Sequence, residues 1–206
     1  DGATVNLVSV QAGIHGHHEV HVKRGAYIET LFLLSGANDE VYEAHCEEPA
    51  ALSSVNACLR AVNSEHCSVR AKNIFLAGNG GGELFLHGVA EGKGKLDIHG
   101  MIHIGPSGTG TQTYLTQHAL LLSKESMANA LPELKIETND VRASHSAGVT
   151  RITPEDLFYV QSRGIDAQLA RALFIQGFLS AAIERTQHPE LAAFANEWLQ
   201  SFMNLA

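Results

Sequence analysis

Histidine is the residue type that first suggests chemistry in this chain: 12 occur, against 14 lysines and arginines together. Imidazole titrates near neutral pH and ligates metals, so spacing decides whether these residues group. His15, His17, His18 and His21 fall in one short run. If that run is a strand, His15 and His17 share a face that Glu19 and His21 continue, and the run reads as solvated strand positions. His45-Cys46 and His66-Cys67 recur at a spacing compatible with one turn of a solenoid. Cysteine and histidine together are natural zinc or iron ligands. Adjacent strand residues point to opposite faces, however, so each pair offers at most one ligand. Packing of small buried cysteines is the reading adopted. His145, within Ser144-His145-Ser146, is either a ligand or proton handler or a strand residue bonded to backbone. Its spacing alone favours the second.

Other chemistries lack their signatures. Gly78–Gly82 and Gly105–Gly110 are glycine-rich, but neither ends in the Gly-Lys-Ser/Thr of a phosphate-binding loop. No Gly-x-Ser-x-Gly elbow, Ser-His-Asp arrangement or paired acids stand out. No catalytic and no nucleotide-binding residue is therefore nominated. The formal charge of −8 argues against nucleic-acid binding, which needs clustered cations. No apolar run approaches membrane-spanning length. Three cysteines make no disulfide framework and fit a reducing, cytoplasmic setting. The chain begins at Asp1 without a charged-then-apolar leader, which suggests a fragment or processed form.

Two periodicities must position these residues. Through residues 1–150 short apolar runs alternate between turn signals, predicting an all-β sandwich, barrel or solenoid. The clearest case places Leu96, Ile98, Ile102 and Ile104 on one face and Asp97, His99 and His103 on the other. Turns are expected at Gly78–Gly82, Gly92–Gly94, Gly105–Gly108 and Asn139-Asp140. The Ala- and Leu-rich stretch Pro49–Val62 suggests a helical turn. Residues 151–206 read as three helices. Thr153-Pro154-Glu155-Asp156 opens the first, with Ile152 and Leu157 spaced as a hydrophobic staple. Gly164 supplies a left-handed ending of the Schellman type. Asp166 caps the second helix, and His188-Pro189-Glu190 opens the third. Its apolar stripe is Leu191, Phe194, Ala195, Trp198, Leu199 and Phe202.

Val141-Arg142-Ala143-Ser144-His145-Ser146-Ala147-Gly148-Val149, followed by Leu157-Phe158-Tyr159-Val160-Gln161-Ser162-Arg163-Gly164-Ile165, resembles the SufB/SufD family. Members carry a (C/A)-S-H-x-A-x-V strand shortly before a helix ending L-F-Y-x-x-S-R-G-I. Leu120–Ser123, Pro132–Ile136, Asn139–Val141, Ala170–Leu173 and Gly177–Leu179 extend the match. The resemblance implies a mainly β fold: a right-handed parallel β-helix over 1–150, then a small α-helical docking domain over 151–206. It implies a non-enzymatic subunit of the Suf complex for iron–sulfur cluster assembly. Such a subunit docks the ATPase SufC and pairs with a SufB-like protein or a second copy of itself. The SufB branch has a cysteine in a D-K-C-G-A-H-T-F-P setting and a Glu-His-Glu. Here the same places read Lys124-Glu125-Ser126-Met127-Ala128-Asn129 and Ser144-His145-Ser146. The chain is thus SufD-like, with no tightly bound cofactor and at most a transient cluster at a subunit interface. His145 then matches the SufD histidine of the cluster site, and Leu157, Phe158, Tyr159, Arg163 and Ile165 match the SufC-docking region. The family's N-terminal helical region is missing, consistent with a truncated or minimal member. A carbohydrate-active or carbohydrate-binding β-helix is the alternative, weakened by an aromatic content of 6% that leaves few stacking platforms for sugars. A structural solenoid without a cluster role is the other.

Overall fold

The computed structural model describes residues 2–203. Eleven strands are present among the described residues, and they alternate between two parallel sheets. The first sheet holds β1 (Thr4–Ala12), β3 (Tyr27–Ser35), β5 (Leu52–Ala61), β7 (Gly81–Ala90), β9 (Gln112–Leu121) and β11 (Arg142–Arg151). The second holds β2 (His15–Val22), β4 (Asn38–Cys46), β6 (His66–Phe75), β8 (Lys95–Ile104) and β10 (Met127–Ile136). Odd strands pair only with odd and even only with even, so the chain winds as a parallel solenoid with two strands in each coil. Of the three all-β architectures that alternation left open, the solenoid is the one found.

The coil is not of fixed length. Ile14 and Asn38, bonded across neighbouring coils, are 24 residues apart, Asp39 and Ser68 are 29, and Gly82 and Thr113 are 31. Strand length stays nearly constant while the turns vary, which hides the repeat from a search for one period. It also separates the two His-Cys pairs. Cys46 pairs in register with Phe75, whereas Cys67 pairs with Asn38 and Leu96, so the two pairs do not stack.

Alternation fixes the lumen. Leu96, Ile98, Ile102 and Ile104 are buried with Phe32, Leu34, Tyr42, Val55, Leu59, Phe75, Leu84, Leu86 and Leu115 between the sheets. Pro49–Val62 holds no helical turn: Ala50 turns with φ +59, and β5 follows. Val55, Ala57 and Leu59 enter the lumen while Cys58 packs outward under the helices. Buried on both faces over residues 55–59, β5 lacks there the alternation of burial that marks β8. Asn79, with φ +57, turns the chain into β7, and Gly82 passes close to the Ser53 carbonyl, where a Cβ would lie 1.9 Å from the oxygen.

The helices cover part of the first sheet. α1 (Pro154–Gln161) starts with a capping box: Asp156 N donates to Thr153 Oγ1 at 3.1 Å, and Thr153 N donates to Asp156 Oδ2 at 2.8 Å. Ser162 is its C-cap and the turn runs on to Gly164, φ +84, one position later than a Schellman ending would place it. Asp166 Oδ1 accepts from Gln168 N and Leu169 N, both at 2.9 Å, to begin α2 (Ala167–Ile183). α3 (Pro189–Met203) follows. Ile175, Leu179, Ala182 and Ile183 of α2 and Ala195 and Leu199 of α3 pack on Leu31, Leu33, Cys58, Phe85, Val89, Leu120 and Leu122. Phe194 is instead exposed, and the side chain of Phe202 lies outside the described residues. No helix of the described residues is long and apolar enough to cross a membrane.

Candidate functional site

His145 lies on β11, the last strand of the first sheet, which pairs on one side only, with β9. Its register partner is Leu115, a lumen residue, and parallel strands in register point matching side chains the same way. His145 therefore takes a lumen position on the last coil and is exposed because no further coil covers it. No hydrogen bond engages its side chain among the described residues, so the imidazole is not bonded to backbone as its spacing favoured. Around it, Ala143 and Val141 of this turn and strand, and Ala128 and Leu134 of β10, are half-buried against the lumen core. β10 and β11 both end their sheets. The last coil thus presents a small-residue apolar surface, one imidazole and two rows of backbone groups open to another chain.

The docking candidates form a second surface. Phe158 and Tyr159 are 70% and 57% exposed, and the Arg163 guanidinium sits 4.2 Å from the centre of the Tyr159 ring. Leu157 and Ile165 are half-buried. Tyr159, Arg163 and Ile165 line one concavity of about 340 Å³ with Val160, Leu173 and Phe174. Leu157 and Phe158 do not line it. Leu169 and Leu173 of α2 are exposed as well. The available signal was that α2 is apolar around its whole circumference, more than one packing face requires.

The cysteines offer no thiolate. Burial pushes the Cys46, Cys58 and Cys67 thiols up to about 12. Cys58 Sγ faces the Leu179 carbonyl at 3.8 Å. His45 and His66 point outward: His45 stacks on His21 with ring centres 5.0 Å apart and approaches Glu19 at 3.4 Å, while His66 meets Asp97 at 2.6 Å. His15, His17, Glu19 and His21 share the outer face, and His18 turns inward. Among the described residues, no three His, Cys, Asp or Glu side chains are grouped to hold a metal ion.

A groove of about 820 Å³ crosses the uncovered part of the first sheet, with Tyr27, Tyr114, Glu83 and Arg185 in its lining. Glu83 is the single acid among its described lining residues, and Arg185 pairs with it. Glycoside cleavage ordinarily needs two facing carboxyl groups, so this groove does not favour the carbohydrate-active alternative.

Comparison with known proteins gives the same family throughout. A family model described as the SUF system FeS cluster assembly, SufBD core domain, matches residues 1–178. The iron–sulfur cluster assembly SufBD family protein ycf24 of Pyropia yezoensis is 24% identical over 195 residues, covering 86% of this chain and 40% of that protein. The iron–sulfur cluster assembly protein SufB of Bacillus subtilis is 24% identical over 192 residues, covering 78% of this chain and 41% of its own length. A SufBD family protein of Mycobacterium leprae is 37% identical over 93 residues, 45% of this chain and 24% of that protein. The chain spans less than half the length of each of these relatives.

Proposed function

The chain belongs to the SufBD family of iron–sulfur cluster assembly proteins, and from that premise we propose that it acts as a SufD-like, non-catalytic subunit. The observation that carries this reading is the last coil: two unpaired edge strands with His145 at an uncovered lumen position and no carboxylate or thiolate beside it in sequence. A SufB-like partner, or a second copy, would complete those edges by strand pairing. His145 then stands at the seam, where imidazole can replace a thiolate on iron. The cluster is cargo passing through the interface, and the three buried thiols of this chain take no part in holding it.

The exposed Phe158 and Tyr159, the Arg163 guanidinium and the half-buried Leu157 and Ile165 would receive a SufC-type ATPase. Inward residues of α2 anchor the helices to the solenoid, so motion of the docked ATPase would reach the first sheet through α2. On this reading the protein works in a soluble assembly of the cytoplasm, with nucleotide hydrolysis confined to the partner.

One co-purification experiment tests the reading. The untagged chain, mixed with a tagged SufC-type ATPase and a SufB-like protein, is expected to be retained, and Arg163→Glu to reduce retention at least tenfold. His145→Ala should keep the complex but lower iron–sulfur absorbance on reconstitution. A chain that binds neither protein, or a His145→Ala complex that loads as the wild type does, refutes the corresponding half.

A further inference from the structure

The first two coils hold a polar cluster that the partner interfaces do not use. Glu40, on β4, has no exposed side-chain surface, and neither carboxylate oxygen has a hydrogen-bond partner. His18 Nε2 lies 3.1 Å from Glu40 Oε1 and also lacks a hydrogen bond. The third member is Gln11 of β1. Its Nε2 donates to Ser9 Oγ at 2.9 Å, leaving Oε1 buried and without a partner. The Tyr42 hydroxyl, nearby in the lumen, is occupied by Thr30 at 3.1 Å. Four buried polar atoms without partners in one place are unusual, because native structures satisfy nearly all such groups or fill the space with water or an ion.

The set has a definite chemical sense. A carboxylate and an amide oxygen are acceptors, and neutral imidazole offers a lone pair. Burial raises the Glu40 pKa, while His18, the Gln11 amide and His17 act in the opposite direction. No lysine or arginine is among the groups acting on it, and its nearest ion-pair neighbour is the His18 imidazole at 3.1 Å. Gly16 makes room for the carboxylate itself: a Cβ there would stand 2.2 Å from Glu40 Oε2. The His18 side chain is 33% exposed, and β1 and β2 end their sheets, so an ion could enter from the open end of the solenoid.

We infer that Glu40, His18 and Gln11 form a binding site for a divalent first-row transition cation in the first two coils. The mixed oxygen and nitrogen donors suit Zn2+, Fe2+ or Mn2+ rather than a soft monovalent ion. This inference goes beyond the proposed function and does not depend on any partner. The site binds the end of the solenoid together, since its donors come from β1, β2 and β4.

The test uses the untagged full chain, stripped with chelator and titrated with ZnCl2 by calorimetry, with thermal unfolding in parallel. One equivalent should bind and raise Tm. Glu40→Gln and His18→Gln should each lose at least about tenfold in affinity, as even outer-shell changes do, and lose the rise in Tm. His45→Gln, which removes a histidine of the outer face, should leave both intact. If Glu40→Gln does not fold by circular dichroism, His18→Gln decides. No stoichiometric uptake by the wild type, or uptake lost in His45→Gln and retained in the two lumen variants, overturns the inference.

Discussion

His87 gives the sharpest test of how the helices are held on the solenoid. It is 4% exposed, stacked between Phe85 and Phe178 with ring centres 4.3 and 4.8 Å away, and its Nδ1–H donates to the Phe178 carbonyl at 3.1 Å. Burial pushes its pKa down from 6.5 to about 4. The Phe178 carbonyl opposes that shift, and His118 and Arg185 add to it. The unfolded chain takes up a proton below pH 6.5, whereas the folded chain resists until about pH 4. Stability present above pH 6.5 is therefore lost as pH falls toward 4. At about 1.36 kcal/mol per unit, the whole window is worth roughly 3 kcal/mol, and roughly 2 of that is lost between pH 7 and pH 5. Urea unfolding of the wild type and His87→Phe at both pH values measures it. The fall in unfolding free energy should be about 2 kcal/mol larger for the wild type. Taking this difference removes groups common to both proteins, including Glu40, whose raised pKa acts in the opposite direction. Equal pH dependence in the two proteins refutes the reasoning, because it would mean that α2 does not hold His87 away from water.

Gly82→Ala should lower Tm markedly. It strains a residue with φ +129, at about 1–3 kcal/mol, and adds a Cβ 1.9 Å from the Ser53 carbonyl oxygen; an unchanged melting curve contradicts that geometry. Ellman's reagent should leave all three cysteines unreacted in the native chain and titrate three thiols in denaturant, since burial raises each to about 12. Prompt native labelling of any one would show that its part of the core opens.

The sequence made the strands legible where one face meets water, as in β8, whose buried and partly exposed residues alternate along most of its length. Legibility failed at β5, where Ser53 and Asn56 are buried together with Val55, Ala57, Cys58 and Leu59, so burial does not follow residue type as it does in β8. Helix starts were readable, since caps are local: Thr153 and Asp166 act as their side-chain chemistry dictates. Register was not readable. The spacing of His45-Cys46 and His66-Cys67 looked like one coil, while the coil there takes 29 residues, a length set by turns that carry no apolar signal. At the site, the motif identified His145 and the helix surface. Its lumen position depends on pairing with Leu115, which only the register reveals. Glu40 and Gln11 were missed because they carry no motif and come together only through winding.

The two chemically distinctive places of the chain share a physical origin. In the middle coils lumen residues are covered from both sides, and several polar groups there pair with one another. Thr30 donates to Tyr42, while Ser53 and Asn73 exchange bonds at 3.0 and 2.8 Å. At the ends one side is missing, and polar groups can stand without internal partners. Gln11 and His18 of the first coil meet the buried Glu40 carboxylate of the second, which calls for a cation. The last coil leaves His145 on a surface kept low by Ala143 and Ala147, with edge backbone free beside it, which suits close approach of another polypeptide. A solenoid thus separates its structural and reactive parts by position along its axis. Substitutions in the middle coils should act through stability, and those at the ends through binding.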